Sequence, residues 1–209
     1  ETVHLRIIVV TSEKDAGEIL SEIKNGKPFA FLAKEISLDE KSRDEYGYLG
    51  KVAVNKLEAP LREAASRLKD GEISGAIKLT DNRYAIIQIV ELRYYTKGAK
   101  AFREKDFKTA EINLLKHIEL NPDAAKARVM LGEIYENREE TEKAIEMYKE
   151  ALSFDPKHNK AYEQLGKAYL YLGQHEKAKE IYEEGLKHIP DALSLWKGLK
   201  TAKMKMSQK

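Results

Sequence analysis

The second half of the chain repeats itself with a period of 34 residues. Proline, glycine and alanine each recur three times at this spacing, and leucine and tyrosine recur twice. The recurring residues are Pro122, Pro156 and Pro190; Gly98, Gly132 and Gly166; Ala110, Ala144 and Ala178; Leu131 and Leu165; Tyr135 and Tyr169. A period of this length is typical of a solenoid of helix pairs, because one pair cannot bury its apolar face alone. Proline ends the second helix of each unit, since it lacks an N–H and clashes with the preceding turn.

The pattern, cleanest in "LGEIYENREETEKAIEMYKEALSFDP", resembles the tetratricopeptide repeat. The resemblance implies an all-α solenoid over residues 92–209. Its three repeats are expected at about 92–124, 125–158 and 159–192, and a capping helix at 193–209. Trp196 and Leu199 lie 34 residues after Tyr162 and Leu165, which is why a final helix is expected to close the stack.

Tetratricopeptide arrays bind a protein partner in a concave groove lined by the first helix of each pair, and the resemblance implies such a groove here. Of the Lys/Asn/Arg clamp with which some arrays hold a chaperone carboxylate, only Lys160 is present, so that mode of docking is not expected. The alternative reading, a solvated face on a structural array, stays open. The residues expected to face the groove are Tyr95, Ala99, Phe102, Val129, Glu133, Glu136, Lys160, Glu163, Lys167 and Leu170.

The first half mixes strand and helix patterns. "VHLRIIVV" is β-branched and strand-like, and the apolar residues of "SEKDAGEILSEIKNG" recur at helical spacing after Ser12, a plausible N-cap. "KPFAFLAKEIS" and "APLREAASRLKDG" predict two more helices, and "LDEKSRDEYGYLGKV" predicts a loop leading into a short strand. "SGAIKLTDNRYAIIQIVELR" predicts a hairpin. The expected fold is a four-stranded sheet covered by helices.

This order and wording resemble the parvulin-type peptidyl-prolyl isomerase domain over residues 1–91. The stretches that carry the resemblance are "AGEILSEIKNGKPFAFLAKEIS", "GYLG", "EAASRLKDGEISGAI" and "RYAIIQIVE". The chain is thus expected to join an α+β parvulin-like domain to an all-α array. The nearest parvulins are extracytoplasmic folding factors, which implies the bacterial periplasm, and an upstream segment is not excluded.

The resemblance places two histidines on adjacent strands, a Cys or Asp on a loop, and an apolar wall around the proline ring. Here the three polar positions are Ile7, Ala85 and Tyr48. His4 is not the family histidine, because it lies an odd number of strand steps from Ile7 and so faces the other way. Leu57 and Leu61 fall where the family has its Met/Phe-type wall. Tyr48, Leu57 and Leu61 are therefore the expected substrate-binding residues, and no catalytic residue is assigned.

Three functional hypotheses follow. The leading one is a chaperone-like protein that holds unfolded or extended client polypeptides, with little or no isomerase activity. The second is a genuine isomerase that uses Tyr48 and apolar residues, since desolvation and shape alone can supply part of the rate. The third is an assembly scaffold without catalysis. Whether the chain is an enzyme stays open at this point.

Composition removes several other classes. Cysteine is absent, which excludes disulfides and a cysteine nucleophile, and the five histidines lack metal-ligand spacing. No metal or cofactor is expected. The net charge is −1 over residues 1–90 and +3 over the remainder, so neither part has the concentrated positive charge of a nucleic-acid binder, and nucleic acid is not an expected partner. No apolar run approaches the roughly 20 residues of a membrane span, and membrane contact is not expected.

Overall fold

The computed structural model describes residues 2–207, which form two compact units. The first comprises residues up to 93 together with 120–122, and the second comprises 94–119 and the residues from 123 onwards. The elements of the first unit are β1 (Thr2–Val10), α1 (Glu13–Lys24), α2 (Phe29–Ile36), α3 (Glu40–Arg43), β2 (Tyr48–Ala53), α4 (Ala59–Arg67), β3 (Ile77–Lys78) and β4 (Tyr84–Ile89).

The four strands form one antiparallel sheet in the order β2-β1-β4-β3. Side chains of β1 alternate between two apolar clusters, as the two-residue period of a strand requires. Leu5, Ile7 and Val9 pack with α4, whereas Ile8 and Val10 pack with α1 and α2. The sheet is therefore covered by helices on both faces.

The β1–β2 pairing contains a bulge. Leu5 pairs with Gly50, but the next residue, Arg6, pairs with Tyr48, so Leu49 is an extra residue on β2. Gly50 has a φ of +76°, in the left-handed region that glycine adopts without strain. One extra residue reverses the side-chain alternation of a strand beyond it. This reversal decides which face of the sheet Tyr48 occupies.

Local sequence explains the helix ends of the first unit. The Ser12 hydroxyl oxygen accepts a hydrogen bond from the Asp15 N–H at 3.1 Å and so caps α1, as its position predicts. Pro28 is the residue immediately before α2, where its fixed φ suits a helix start. The sequence predicts only a loop before β2, but the structure has the short helix α3 in that segment. Asp39 caps α3 by accepting from the Ser42 N–H at 3.2 Å.

The second unit consists of seven helices over the described residues: α5 (Arg93–Arg103), α6 (Phe107–Leu120), α7 (Ala125–Asn137), α8 (Thr141–Phe154), α9 (Asn159–Tyr171), α10 (His175–His188) and α11 (Leu193–Ser207). The repeated glycines explain why the paired helices approach closely. A Cβ on Gly132 of α7 would lie 2.3 Å from the ring of Tyr148 on α8, and Gly166 meets Tyr182 at the same distance. Glycine at these positions is thus a packing requirement.

The final helix, α11, packs onto the preceding pair. Leu195, Leu199 and Ala202 lie on its inner side and belong to the core of the array. Gly198 rests against the ring of Tyr182, where an added Cβ would approach a ring carbon to 2.3 Å. Tyr182 is therefore enclosed between Gly166 of α9 and Gly198 of α11.

Candidate functional site

Four of the five predicted site positions of the first unit lie in one apolar cluster. Ile7 on β1 and Ala85 on β4 lie diagonally across the paired strands, since Ile7 faces Ile87 and Ala85 faces Val9. Leu61 of α4 packs on the same side. Ile7, Ala85 and Leu61 are 6%, 0% and 7% exposed, so the two histidine-equivalent positions are filled, packed core.

Leu57, the fourth of these positions, is partly exposed and packs against the cluster. It follows a single 3-10 turn, Val54–Lys56, and precedes α4. Its carbonyl oxygen accepts a hydrogen bond from Arg62 Nη2 at 3.1 Å, and the adjacent Glu58 carboxylate accepts one from the Thr80 hydroxyl at 2.9 Å. These bonds hold the segment against α4 and the β3–β4 turn. The backbone around Leu57 is therefore held in place, and its side chain is partly exposed.

Tyr48, expected at the mouth of the same pocket, lies on the other face of the sheet. Its pairing partner Arg6 alternates with Ile7 and shares the face of Ile8. The Arg6 guanidinium lies 5.5 Å from the centre of the Tyr48 ring. The expectation that Tyr48 joins Leu57 and Leu61 is corrected by this geometry, and the physical reason is the bulge at Leu49.

His4 is the partner of Tyr48. Its Nδ1 lies 2.7 Å from the Tyr48 hydroxyl, within hydrogen-bond distance, and the two rings are nearly parallel with centroids 6.2 Å apart. Arg6 is buried, and its Nη1 donates to the Tyr46 carbonyl oxygen at 2.9 Å. His4 thus belongs to a polar group on the face opposite Ile7, as its strand register predicts.

In the second unit, the charged members of the predicted groove come together on α7 and α9. Lys160 Nζ of α9 lies 2.6 Å from Glu133 Oε1 of α7, and this ion pair bridges the two helices. Lys167 forms an ion pair with Glu163 within α9. The Tyr148 hydroxyl donates a hydrogen bond to Glu136 Oε2 at 2.9 Å. The surface therefore carries alternating charges at fixed positions.

Burial shifts the titration of this surface. It raises the pKa of Glu136 above its ordinary value of 4.5; neighbouring Glu133 adds to that, while the bond from Tyr148 and the charges of Lys160 and Lys167 oppose it. Burial also raises the pKa of Tyr148, and the Glu136 charge adds to the shift. Tyr148 therefore stays a neutral donor.

The apolar groove positions are mostly packed inside the array. Ala99 and Val129 are 7% and 3% exposed, so both contribute little contact surface as they stand. Tyr95 and Phe102 are partly buried, with their ring centroids 5.3 Å from that of His117 and 6.0 Å from that of Phe107, respectively. Leu170 is partly buried as well. The accessible groove is thus chiefly the charged part on α7 and α9.

Two functional features escaped the sequence reasoning. Tyr148 is identifiable as a repeated aromatic residue, but its hydroxyl reaches the groove because Gly132 lets the ring pass beneath α7. The bulge at Leu49 has a sequence signal, since Gly47 and Gly50 flank it and glycine inside a strand often marks a bulge.

Residues 2–207 hold no helix long and apolar enough to cross a bilayer. Over the same range, no group of three or more His, Cys, Asp or Glu side chains is arranged to hold a metal ion.

Comparison with known protein families assigns each half. The PPIC-type PPIASE domain model matches residues 10–91, and two tetratricopeptide repeat models match residues 95–159 and 138–202. Sgt2 from Aspergillus fumigatus, whose TPR domain has been crystallised, is 25% identical with a TM-score of 0.51, covering 56% of this chain and 78% of that one.

Two curated relatives carry the name foldase protein PrsA. The protein from Geobacillus kaustophilus is 35% identical over 123 residues, which is 58% of this chain and 41% of the relative. That from Caldanaerobacter subterraneus subsp. tengcongensis is 40% identical over 88 residues, or 42% of this chain and 28% of the relative. The chain thus spans less than half the length of either relative. Together with the fold, these matches identify residues 10–91 as a PPIC-type PPIase domain and residues 95–202 as tetratricopeptide repeats.

Proposed function

We propose that this chain is a folding factor that holds extended client polypeptides and has little or no isomerase activity. In this proposal the parvulin domain supplies an apolar contact surface around Leu57, and the repeat array engages a second protein through its groove. The foldase relatives and the combination of a PPIase domain with repeats support a role in protein folding.

The observation that carries the proposal is the character of the histidine-equivalent positions. Ile7 and Ala85 are apolar and buried in the cluster that contains Leu61. Side chains that could donate to or accept from a twisting amide are replaced there by aliphatic groups. An apolar wall still favours desolvation of a proline segment, and this supports binding more than turnover.

The isomerase assay is the direct test. The full chain is added to a protease-coupled assay on a series of Xaa-Pro tetrapeptides, with an active parvulin as the positive control. We expect no acceleration above the uncatalysed rate. Turnover in the range of the positive control would refute the non-catalytic part of the proposal and favour the alternative, an active prolyl isomerase.

Client binding is tested separately. A fluorescein-labelled peptide containing a Leu-Pro-Phe segment is titrated with the full chain and followed by fluorescence anisotropy. Leu57→Ser should weaken binding about tenfold, because full burial of an exposed leucine contributes on the order of 1.5–3 kcal/mol and Leu57 is already partly buried in the free chain. Leu38→Ser makes the same change at another exposed leucine and is the matched control. Equal affinities for both variants would contradict client binding at Leu57 and favour a non-catalytic assembly scaffold.

For the repeat array we propose a protein partner that meets the alternating charges of Glu133, Lys160 and Lys167. Charge reversal of the exposed Lys167 should weaken the binding of such a partner, and the loss of affinity should be larger at low salt than at high salt.

We further propose that the protein acts in the bacterial periplasm, on the strength of the resemblance to extracytoplasmic parvulins. Subcellular fractionation of the source cell checks this.

A further inference from the structure

The last helix carries an exposed face of mixed apolar and basic character. Its inner side is buried in the array, and the opposite side points to solvent. Leu193, Trp196 and Met204 on that side are 74%, 53% and 52% exposed, which is unusual for three large apolar side chains on one helix. We call this side the α11 outer face, and it consists of Leu193, Trp196, Lys200, Lys203 and Met204.

The α11 outer face differs in one repeated position from the corresponding helices α7 and α9. Lys200 lies 34 residues after Gly166 and 68 after Gly132, the glycines on which the rings of Tyr182 and Tyr148 pack. Lys200 thus stands where those two helices have a glycine against a tyrosine ring. We therefore expect the α11 outer face to bind something other than the second helix of a repeat.

Part of this face is a shallow notch, open to solvent, lined by Trp196, Leu199, Lys200, Lys203, Met204 and Ser207. Trp196 and Met204 are exposed members of this lining, and Leu199 is its buried member. The Trp196 ring is fixed because its Nε1 donates a hydrogen bond to the Pro190 carbonyl oxygen at 2.9 Å. A notch beside a ring that is held in place accepts a protruding side chain, whereas a lipid surface is met by protruding side chains of the protein.

The charge that α11 itself contributes around the notch is entirely basic. The α11 segment contains Lys197, Lys200, Lys203 and Lys205 and no acidic residue. Lys203 lies 3.4 Å from Glu183, but within residues 2–207 Lys197 and Lys200 make no ion pair. An occupant with carboxylates beside its apolar side chains would neutralise this charge.

We propose that the α11 outer face is a second protein-docking site, separate from the groove, and that it binds an acidic amphipathic peptide segment. One large aliphatic or aromatic side chain of the partner enters the notch lined by Trp196 and Met204. Flanking Glu or Asp residues pair with Lys200 and compete with Glu183 for Lys203. The partner is thus recognised by an acidic helix face with an apolar stripe.

The single tryptophan of the chain provides the measurement. Trp196 fluorescence is followed while the full chain is titrated with a synthetic helical peptide that carries Leu and Phe along one face, flanked by Glu. We expect a saturable blue shift that weakens with salt. The same peptide with Lys in place of Glu should produce no saturable shift. Absence of a shift with the acidic peptide, or equal binding of both peptides, would overturn the proposal.

Two variants localise the effect. Lys200→Glu should weaken binding of the acidic peptide about fivefold or more, since it replaces an attractive surface pair by a repulsive one. Lys205→Glu makes the same change elsewhere on α11, outside the notch, and should weaken it less. Equal effects would indicate attraction by net charge alone and overturn the specific site. In a separate titration, vesicles of phosphatidylglycerol replace the peptide. A blue shift of Trp196 fluorescence with the vesicles, together with no shift with the acidic peptide, would overturn the proposal in favour of a membrane surface.

Discussion

The hydroxyl group of Tyr148 on α8 donates a hydrogen bond to the carboxylate of Glu136 on α7, at 2.9 Å. The contact joins the two helices of one repeat and ends at the predicted groove. It exists because Gly132 leaves room for the tyrosine ring beneath α7. A glycine needed for packing thus also positions a charged residue of the candidate binding surface.

Glu136→Gln should make the stability of the chain less dependent on pH. Burial raises the pKa of Glu136 above 4.5, so the folded chain binds this proton more tightly than the unfolded chain does. The carboxyl group is therefore most favourable to folding below about pH 4.5, and this contribution is lost as the pH rises through the raised value. Glutamine cannot ionise, and its carbonyl oxygen still accepts from Tyr148. The free energy of unfolding of the variant, relative to the parent chain, should rise from pH 4.5 towards 7.

Urea unfolding at a series of pH values measures that difference. The exposed Glu146→Gln on α8 is the matched control, because it removes a carboxylate from the same pair of helices. A relative stability of Glu136→Gln that falls as the pH rises would contradict the expected sign.

Gly132→Ala should destabilise the array by about 1–3 kcal/mol, the usual range for overpacking a core. The added methyl group would lie 2.3 Å from a ring carbon of Tyr148, and that side chain is fully buried. Gly17→Ala in α1 is the control, because its added Cβ meets no atom within 4 Å. The control should be neutral or stabilising by up to about 1 kcal/mol, since alanine is the better helix former. Urea unfolding followed by circular dichroism checks both, and equal stabilities would contradict the packing role.

Much of the fold was predictable from the sequence because its signals are local or periodic. The 34-residue period identifies the helix pairs, and the apolar alternation of β1 places His4 and Ile7 on opposite faces of the sheet. The position of Tyr48 was not predictable in this way. Regular alternation from Val52 would place it with Ile7, and one extra residue at Leu49 reverses that. The register of a neighbouring strand is a non-local property, which a pattern within one strand does not fix.

The groove was predictable in part for a similar reason. Repeat spacing identifies which residues lie on the first helices, but not how far the neighbouring helices cover them. Val129 is at a groove position by spacing and is buried in the core of the array, whereas Lys160 is exposed. The exposure of a side chain depends on how closely the neighbouring helices pack. The repeated glycines, which lie on other turns of the same helices, set that distance.

Ala85→His should lower the stability of the parvulin domain by about 1–3 kcal/mol, because the imidazole would overpack an apolar core and bring polar nitrogens into it. Ala85 has no exposed surface, and it adjoins Ile7 and Leu61 in the same cluster. Lys78→His on the exposed side of β3 is the control and should have little effect. Thermal unfolding of both variants is the measurement. Unchanged stability of Ala85→His would mean that an open cleft exists at this position.

Tyr48→Phe should separate stability from client binding. The change removes the hydroxyl that lies 2.7 Å from His4 Nδ1, and a hydrogen bond of this kind contributes about 0.5–1.5 kcal/mol to folding. The ring itself remains beside Arg6. Because this group is on the face of the sheet opposite Leu57, affinity for the Leu-Pro-Phe peptide should stay at the level of the parent chain. Urea unfolding and fluorescence anisotropy on the same preparation give both quantities. A loss of peptide affinity as large as that of Leu57→Ser would place Tyr48 in the client site and restore the isomerase alternative that depends on it.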